Sequence, residues 1–183
     1  MNPPSTYKRS ISCVSALLPY VRSVKKPFVL VSTGTWSIAL NPFSDIPLTT
    51  EETEAGCINY MRINGKPVKS SRLFLGNEYK IQVEKLTKKF NVDEEYHKSV
   101  EFDYDVYFEI IKEFEYCFKW ESFSDENMLK KTTYSYNNFE HVYHQLMIEL
   151  VQLQVKIIKK IADTQEIDRL YVDGGFTDND LYV

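Results

Sequence analysis

Glycine and cysteine are scarce in this sequence of 183 residues, which contains six of the former and three of the latter. The cysteines, Cys13, Cys57 and Cys117, are too widely spaced for a CxxC pair or another metal-binding pattern. No secretory signal precedes them, so we expect reduced thiols in a cytoplasmic protein. His141 and His144 lie three positions apart on a predicted helix, but without further ligands they predict no metal site.

Long apolar runs and an excess of positive charge are also missing. No stretch of about 18 uncharged apolar residues occurs, so the sequence predicts no membrane-spanning helix. The formal net charge of −4 opposes generic binding of nucleic acid, which needs a basic surface. Aromatic residues make up 14% of the chain, which argues against a disordered protein, and the length suits one folded domain.

The distribution of proline and glycine divides the chain. All seven prolines lie within the first 67 residues, and no glycine occurs between Gly76 and Gly174. The first third is therefore predicted to form strands and turns, and the remainder to be mainly helical. Asn64-Gly65 is a strong hairpin signal, from which Lys66–Ser70 would return. We expect a mixed sheet that starts with three antiparallel strands and is joined in parallel by a last one: Phe28–Val31, Trp36–Leu40, Cys57–Ile63 and Ile167–Val172.

Apolar residues at helical spacing predict three packing helices, at Ile11–Val24, Leu75–Phe90 and Asn138–Ala162. The last has the clearest apolar stripe, and Asn137 with Glu140 is predicted to cap its start. Thr50–Glu54 is expected to be a solvated acidic stretch within a loop. The aromatic-rich segment Tyr96–Phe123 has two interpretations, packing in a core or interface and stacking on a ligand.

Two predicted strands end in small polar turns that contain glycine. Ser32–Thr35 follows the first strand, and Asp173–Gly175 follows the last. Glycine lets main-chain N–H groups approach an anion closely, and threonine hydroxyls add further donors. Either turn alone is compatible with a simple connection, but two of them joined through a long helix favour a nucleotide-binding cleft. Neither turn has the spacing of the Walker or Rossmann motifs.

The segments Val31–Ser37 (VSTGTWS) and Val172–Phe176 (VDGGF) resemble the second phosphate motif and the adenosine motif in the C-terminal domain of FGGY carbohydrate kinases. The run from Gly65 to Glu78 is similar to members of that group related to rhamnulose, fuculose and xylulose kinases. The resemblance extends from about Ala16 to the last residue. It implies an α/β fold of the ribonuclease-H-like type, as in the actin–hexokinase–Hsp70 superfamily, in an incomplete, truncated form. The implied division is an irregular or helical N-terminal remnant, residues 1–26, and a partial nucleotide-binding domain, residues 27–183.

The resemblance also implies ATP and Mg²⁺ as cofactors and assigns residues to the nucleotide. Seven residues would contact or support it: Thr33, Gly34, Thr35, Asp173, Gly174, Gly175 and Asn179. Those of the first turn would meet the β- and γ-phosphates. The two later glycines would approach the α-phosphate and adenosine, the aspartate would support their turn, and the asparagine would lie near the nucleoside.

The implied reaction is transfer of the ATP γ-phosphate to a sugar hydroxyl, with a carboxylate taking the hydroxyl proton. The catalytic aspartate of the family has no counterpart in this sequence. Ile11, Ser12 and Cys13 stand at its place, and no acidic residue occurs before Asp45. The family's N-terminal domain, which carries the first phosphate motif and most sugar contacts, is also not found. We therefore expect no catalytic residue in this chain and no kinase activity from it alone.

Two other hypotheses remain open from the sequence. One is a non-catalytic actin-like module that binds nucleotide or mediates assembly, and the other is an aromatic-rich α/β interaction domain. Binding of Mg-ATP separates the two. The family resemblance implies a ketose or deoxyketose as the sugar substrate, and no nucleic acid or membrane partner is expected. An incomplete fold leaves apolar surface exposed, so we expect homodimerisation or poor solubility.

Overall fold

The computed structural model describes residues 15–62, 64–122, 133, 136–162 and 166–183. They form the mixed α/β fold that the sequence predicts, and helices pack on both faces of a five-stranded sheet. The strands are β1 (Phe28–Thr33), β2 (Ser37–Asn41), β3 (Ile58–Met61), β4 (Pro67–Leu73) and β5 (Arg169–Gly174). The helices are α1 (15–23), α2 (Thr50–Glu54), α3 (Leu75–Phe90), α4 (Tyr104–Lys112) and α5 (Phe139–Ile161), with a 3₁₀ turn at Tyr96–Ser99. The first residues of the expected helix Ile11–Val24 lie outside the described residues.

β1 lies inside the sheet because its side chains are apolar on both faces. Phe28, Val29 and Leu30 have no exposed surface, so the strand is covered on both faces, as is typical of a strand inside a sheet. β2 pairs with it antiparallel and β5 pairs with it parallel. The predicted parallel last strand is thus confirmed, although it is shifted by two residues from Ile167–Val172.

The predicted neighbour of β2 is wrong. The expected antiparallel start places the third strand along the chain, Cys57–Ile63, beside β2, but β4 lies between them and the order is β3-β4-β2-β1-β5. The hairpin at Gly65, whose φ is +78°, returns β4 along β3 as its sequence predicts. β4 occupies the inner position because residues 68–71 are buried, whereas β3 alternates between half-buried and exposed residues and suits an edge.

The two long helices occur where apolar periodicity predicts them. α3 has the expected bounds, and α5 begins one residue after the expected Asn138. The predicted cap of α5 is wrong by one position. Asn138, not Asn137, has the extended backbone of an N-cap, and its side chain accepts a hydrogen bond from the N–H of His141 at 2.8 Å.

The acidic stretch predicted as loop is the short helix α2. The Thr49 hydroxyl accepts from the N–H of Glu52 at 3.1 Å, and the Glu52 carboxylate accepts from the N–H of Thr49 at 2.7 Å. The same carboxylate lies 2.8 Å from the ammonium of Lys69, which is 1% exposed. Burial by itself would raise the pKa of Glu52. Hydrogen bonds from Lys69 and Thr49, together with the positive charge of Lys69, outweigh this effect and lower the pKa below its usual value. The ion pair therefore fixes α2 to β4, a contact that the local sequence pattern does not reveal.

Two apolar clusters attach the helices to the sheet, one on each face. The smaller cluster lies under α1 and contains Leu17, Phe28, Leu30, Leu40 and Val68. The larger lies under α3 and α5, and its members include Val29, Val31, Leu86, Leu146, Leu150 and Phe176. Successive residues of β1 thus alternate between the two clusters, as the pleat of a strand requires.

The aromatic-rich segment divides between core and surface. Phe118 and Trp120 are 1% and 3% exposed and belong to the larger cluster, in agreement with the core-packing interpretation. On α4, in contrast, Tyr104 and Phe108 are 68% and 59% exposed. The last residue of the segment, Phe123, lies outside the described residues.

Candidate functional site

The two glycine turns lie at the same edge of the sheet. β1 and β5 are parallel neighbours, and Thr33 at the end of one pairs with Gly174 at the end of the other. Gly34 and Gly175 therefore follow side by side. An arrangement with the turns at opposite ends of the sheet, which would separate a shared binding site into halves, does not occur.

Thr33 cross-links the two turns. Its hydroxyl donates a hydrogen bond to the main-chain oxygen of Asp173 at 2.7 Å and accepts one from the N–H of Phe176 at 3.1 Å. Its carbonyl oxygen accepts from the N–H of Gly175, also at 3.1 Å. The side chain is 6% exposed. The family resemblance assigns this hydroxyl to the phosphates, and in the structure it fixes the second turn to the first.

The glycines of the turns have different structural roles. Gly174 has φ +98°, and a Cβ built on it would lie 1.9 Å from the carbonyl oxygen of Thr33, so no other residue fits without movement. Gly175 has no heavy atom within 4 Å of such a Cβ, and for Gly34 the nearest atom is at 3.8 Å. Both are exposed. Gly174 is therefore required by the fold, while Gly34 and Gly175 leave the main chain open to a ligand.

The N-terminus of α3 packs against the first turn. A Cβ on Gly76 would lie 1.9 Å from the carbonyl oxygen of Gly34, and the N–H of Asn77 donates to the carbonyl oxygen of Thr35 at 3.3 Å. The positive end of a 16-residue helix is thus directed at this turn. Gly76 was missed as a site residue by the reasoning on turns, although its rarity and its position at the start of a predicted helix were signals of close approach.

An exposed aromatic side chain with a nearby cation borders the same turn. Trp36, which is 44% exposed, packs against Phe74 with ring centroids 4.6 Å apart. The guanidinium of Arg72 lies 5.5 Å from the centroid of the indole ring. The turn is therefore bordered by one positive side chain, which adds to the field of the α3 N-terminus.

The side chain of Asn179 makes hydrogen bonds to α5 and to the main chain near the C-terminus. Its amide donates to the hydroxyl of Tyr143 at 3.0 Å and its side-chain oxygen accepts from the N–H of Leu181 at 3.0 Å. The hydroxyls of Tyr143 and Tyr79 are 2.9 Å apart, and burial raises the pKa of both phenols, which keeps them neutral. The family resemblance implies that Asn179 lies near a nucleoside, and in the structure its side-chain amide hydrogen-bonds to groups of the protein.

Gln154 of α5 also connects the segments that follow the two turns, through hydrogen bonds of its side chain. Its side-chain oxygen accepts hydrogen bonds from the hydroxyls of Ser37, which follows the first turn, and Tyr182, which follows the second. Ser37 has no exposed surface, and Tyr182 is 8% exposed. Neither Tyr143 nor Gln154 was predicted as a site residue. Tyr143 belongs to the apolar stripe of α5 and Gln154 is a polar residue next to that stripe, so only the tertiary structure shows what they contact.

Asp173 is a half-buried carboxylate at this edge, in register with Ser32 of β1. Burial, followed by the charge of Asp173, raises the pKa of the Tyr20 phenol on α1. Among the described residues, no group of three histidine, cysteine or acidic side chains is placed to hold a metal ion. In the same part of the chain, no helix has both the length and the apolar composition to cross a membrane.

Comparison with known proteins adds two findings. Residues 25–105 match the model of the family described as carbohydrate kinase FGGY, C-terminal domain. This range contains the first turn and α3, and it ends before the second turn. No curated protein matches the chain significantly in sequence.

Among solved structures, the chain is similar to a carbohydrate kinase from Novosphingobium aromaticivorans. The TM-score is 0.63 at 19% sequence identity, and the match covers 93% of this chain. The chain spans 37% of the length of that kinase. The two proteins thus share a fold over almost all of the chain described here.

Proposed function

We propose that this chain is the Mg-ATP-binding part of a carbohydrate kinase of the FGGY type, with residues 27–183 as its nucleotide-binding domain and residues 1–26 as an irregular or helical N-terminal remnant. The observation that carries the proposal is the pair of glycine turns that Thr33 joins at one sheet edge. The first of these turns lies within the range that matches the kinase family. The resemblance of residues 65–78 to rhamnulose, fuculose and xylulose kinases supports a ketose or deoxyketose as acceptor.

The open main chain of the two turns would bind the triphosphate. Gly34 and Thr35 face the β- and γ-phosphates, because they are exposed and stand at the positive end of α3. Gly175 approaches the α-phosphate, because no heavy atom of the described residues lies within 4 Å of a Cβ built on it. Thr33 and Gly174 keep the two turns in register, and Asn179 braces the second turn from the protein side.

Mg²⁺ would enter with the nucleotide and neutralise charge on the β- and γ-phosphates. The described residues offer no three-ligand metal site, so the phosphates themselves would supply most of its ligands, with Asp173 as a carboxylate at the same edge. The exposed residues of the turns are therefore suited to position phosphates, which is the main demand of phosphoryl transfer.

The chain lacks an acid at the position of the family's proton acceptor, since no aspartate or glutamate precedes Asp45. We propose that it binds Mg-ATP but does not phosphorylate a sugar by itself. The free thiols of Cys57 and Cys117 are consistent with a cytoplasmic location.

Isothermal titration calorimetry of the full chain with Mg-ATP tests the proposal, using two glycine variants as a pair. Gly175→Ala adds a methyl group in open space and should keep the stability of the protein while weakening Mg-ATP binding by about tenfold or more. Gly65→Ala, at φ +78° in the distant hairpin, should lose some stability and keep the affinity.

Absence of both heat and thermal stabilisation with Mg-ATP would contradict the nucleotide site. Equal affinities of the two variants would contradict the role of Gly175. Measurable turnover of a ketose or deoxyketose by the isolated chain would contradict the proposed lack of activity.

A further inference from the structure

An exposed apolar stripe lies on α4. Tyr104, Phe108 and Ile111 are spaced at i, i+4 and i+7 and therefore share one face of the helix. They are 68%, 59% and 38% exposed, while Ile110 on the opposite side is 2% exposed and anchors the helix. We refer to the three exposed residues as the α4 stripe. Large apolar side chains grouped in this way mark surfaces at which a protein associates.

Negative charge surrounds the α4 stripe. The segment 101–115 contains six acidic residues and one lysine, so its formal charge of −5 exceeds that of the entire chain, which is −4. All six acids are exposed: Glu101, Asp103, Asp105, Glu109, Glu113 and Glu115. A surface that covers this stripe therefore needs an apolar centre and a positive rim.

A pocket with apolar walls and positively charged side chains lies on the other face of the sheet. It has a volume of about 490 Å³ and lies between α1 and the β3–β4 hairpin, with Leu18 and Met61 among its apolar walls. These two side chains are 48% and 79% exposed. Among the described residues, its lining includes Arg22 and Arg62 and no acidic side chain. We refer to it as the α1–β3 pocket.

Arg62 has an unused donor in the α1–β3 pocket. One of its terminal nitrogens donates to the main-chain oxygen of Pro42 at 2.6 Å, but its buried Nε has no hydrogen-bond partner among the described residues. An unpaired buried donor is unfavourable, and a carboxylate is the acceptor that best suits a guanidinium. The pocket thus combines apolar walls with a guanidinium that has one donor, Nε, without a hydrogen-bond partner among the described residues.

From these two surfaces we infer that the chain associates head to tail with copies of itself, with the α4 stripe of one copy seated in the α1–β3 pocket of the next. The volume of the pocket is in the range that encloses ligands of several side chains' size, which suits Phe108 and its neighbours. The acids around the stripe would face Arg22 and Arg62. This contact is independent of nucleotide binding.

The two surfaces lie on opposite faces of the sheet, since α4 packs on α5 and the pocket adjoins the cluster under α1. In a twofold dimer, the stripe and the pocket of each copy would both have to face the same partner, which surfaces on opposite sides of the molecule cannot do. Each copy instead offers its stripe to one neighbour and its pocket to another, so the assembly is an open chain or a ring.

Sedimentation velocity over a range of protein concentrations tests the inference. The average mass should rise above the 21.5 kDa of one chain as concentration increases, and it should fall back at high salt because the rim contacts are charged. Phe108→Glu removes the apolar centre of the stripe and would place a charge against the apolar walls of the pocket, so it should remain at one chain's mass. Met61→Glu, which places an acid in the pocket, should do the same.

An equimolar mixture of the two variants gives the sharpest result. Phe108→Glu retains an intact pocket and Met61→Glu an intact stripe, so the mixture should form particles of two chains and no larger. Leu170→Glu is the matched control, because Leu170 is 52% exposed on β5 at the opposite sheet edge from the pocket, and it should associate like the wild type. Circular dichroism establishes that each variant is folded, and Tyr104→Glu replaces Phe108→Glu if the latter is not.

The inference is overturned by a wild-type mass of one chain at every concentration. It is also overturned if the wild type associates but the mixture of Phe108→Glu and Met61→Glu stays at the mass of one chain. The same holds if Leu170→Glu associates as weakly as those two variants do alone.

Discussion

The Thr33 hydroxyl joins chain segments that are 140 positions apart, and both of its partners are main-chain groups. Thr33→Val keeps the shape of the side chain but leaves the Phe176 N–H and the Asp173 carbonyl without this partner. We expect a loss of about 1–3 kcal/mol in the free energy of unfolding, measured by urea denaturation. Thr33→Ser retains the hydroxyl and is the control. Equal losses in both variants would show that the methyl group, not the hydrogen bonds, stabilises the turn.

The two adjacent glycines allow a direct comparison of fold and site. Gly174→Ala combines an unfavourable φ of +98° with a Cβ that would lie 1.9 Å from the Thr33 carbonyl oxygen, so it should cost about 1–3 kcal/mol or more in stability. Gly175→Ala meets no atom within 4 Å and should change stability by less than about 0.5 kcal/mol. Thermal unfolding of both variants measures the difference, and a result in the reverse order would contradict the assigned backbone roles.

Sequence reasoning located these residues but not their partners. A pair of scarce glycines after an apolar strand is a local signal, so the positions of the two turns could be predicted. Whether the Thr33 and Asn179 side chains point outwards or inwards depends on residues such as Tyr143 that lie far away in sequence. No local pattern contains that information.

At the scale of elements, the side chains of two helices hold residues 115–122, a stretch without regular secondary structure. The carboxylate of Glu149 on α5 accepts from the N–H groups of Cys117 and Phe118 and from the indole of Trp120. The carboxylate of Glu78 on α3 accepts from the N–H groups of residues 121 and 122. Side chains thus supply the hydrogen bonds that a neighbouring strand would otherwise provide.

Burial raises the pKa of Glu149 to about 7, although the hydrogen bonds from this stretch oppose the increase. The folded protein then binds the proton more tightly than the unfolded chain, whose glutamate has an ordinary pKa of 4.5. The stability from this group is present below the unfolded pKa and is lost as pH rises through about 7. We expect urea midpoints to fall between about pH 5 and about pH 8, and Glu149→Gln to remove that part of the slope. A slope unchanged in the variant would assign it to another group.

The elements themselves were predictable to different degrees. α3 and α5 follow from a period of about 3.6 in apolar residues, which is a property of each segment alone. β4 lies between β2 and β3 because it buries more of its side chains than β3 does. This preference depends on a comparison of two strands, so the pattern of either strand alone does not predict it. The α2 helix was missed because its capping pair and its contact with Lys69 outweigh an acidic composition that is typical of loops.

On the scale of the whole molecule, the last eight residues complete the larger core. Phe176 and Tyr182 are 7% and 8% exposed, and their rings lie 4.8 Å apart in that cluster. Deletion of residues 176–183 should therefore lower the free energy of unfolding by at least about 3 kcal/mol, measured by thermal or urea denaturation. Deletion of Val183 alone, which is 75% exposed, should have a small effect. A small effect of the longer deletion would show that these rings contribute little to the core.

The parallel pairing of β1 with β5 also has a consequence during protein synthesis. The paired residues Ser32 and Asp173 are separated by most of the chain, and a ribosome that adds about 5–20 residues per second needs about 7–30 s to make the connecting segment. Throughout that interval β1 has its inner partner β2 but an open edge on the other side. An open apolar strand edge is a template for pairing with any other chain. The nascent protein therefore passes through a period in which chaperone binding or dilution protects it, and the period ends only when β5 is made.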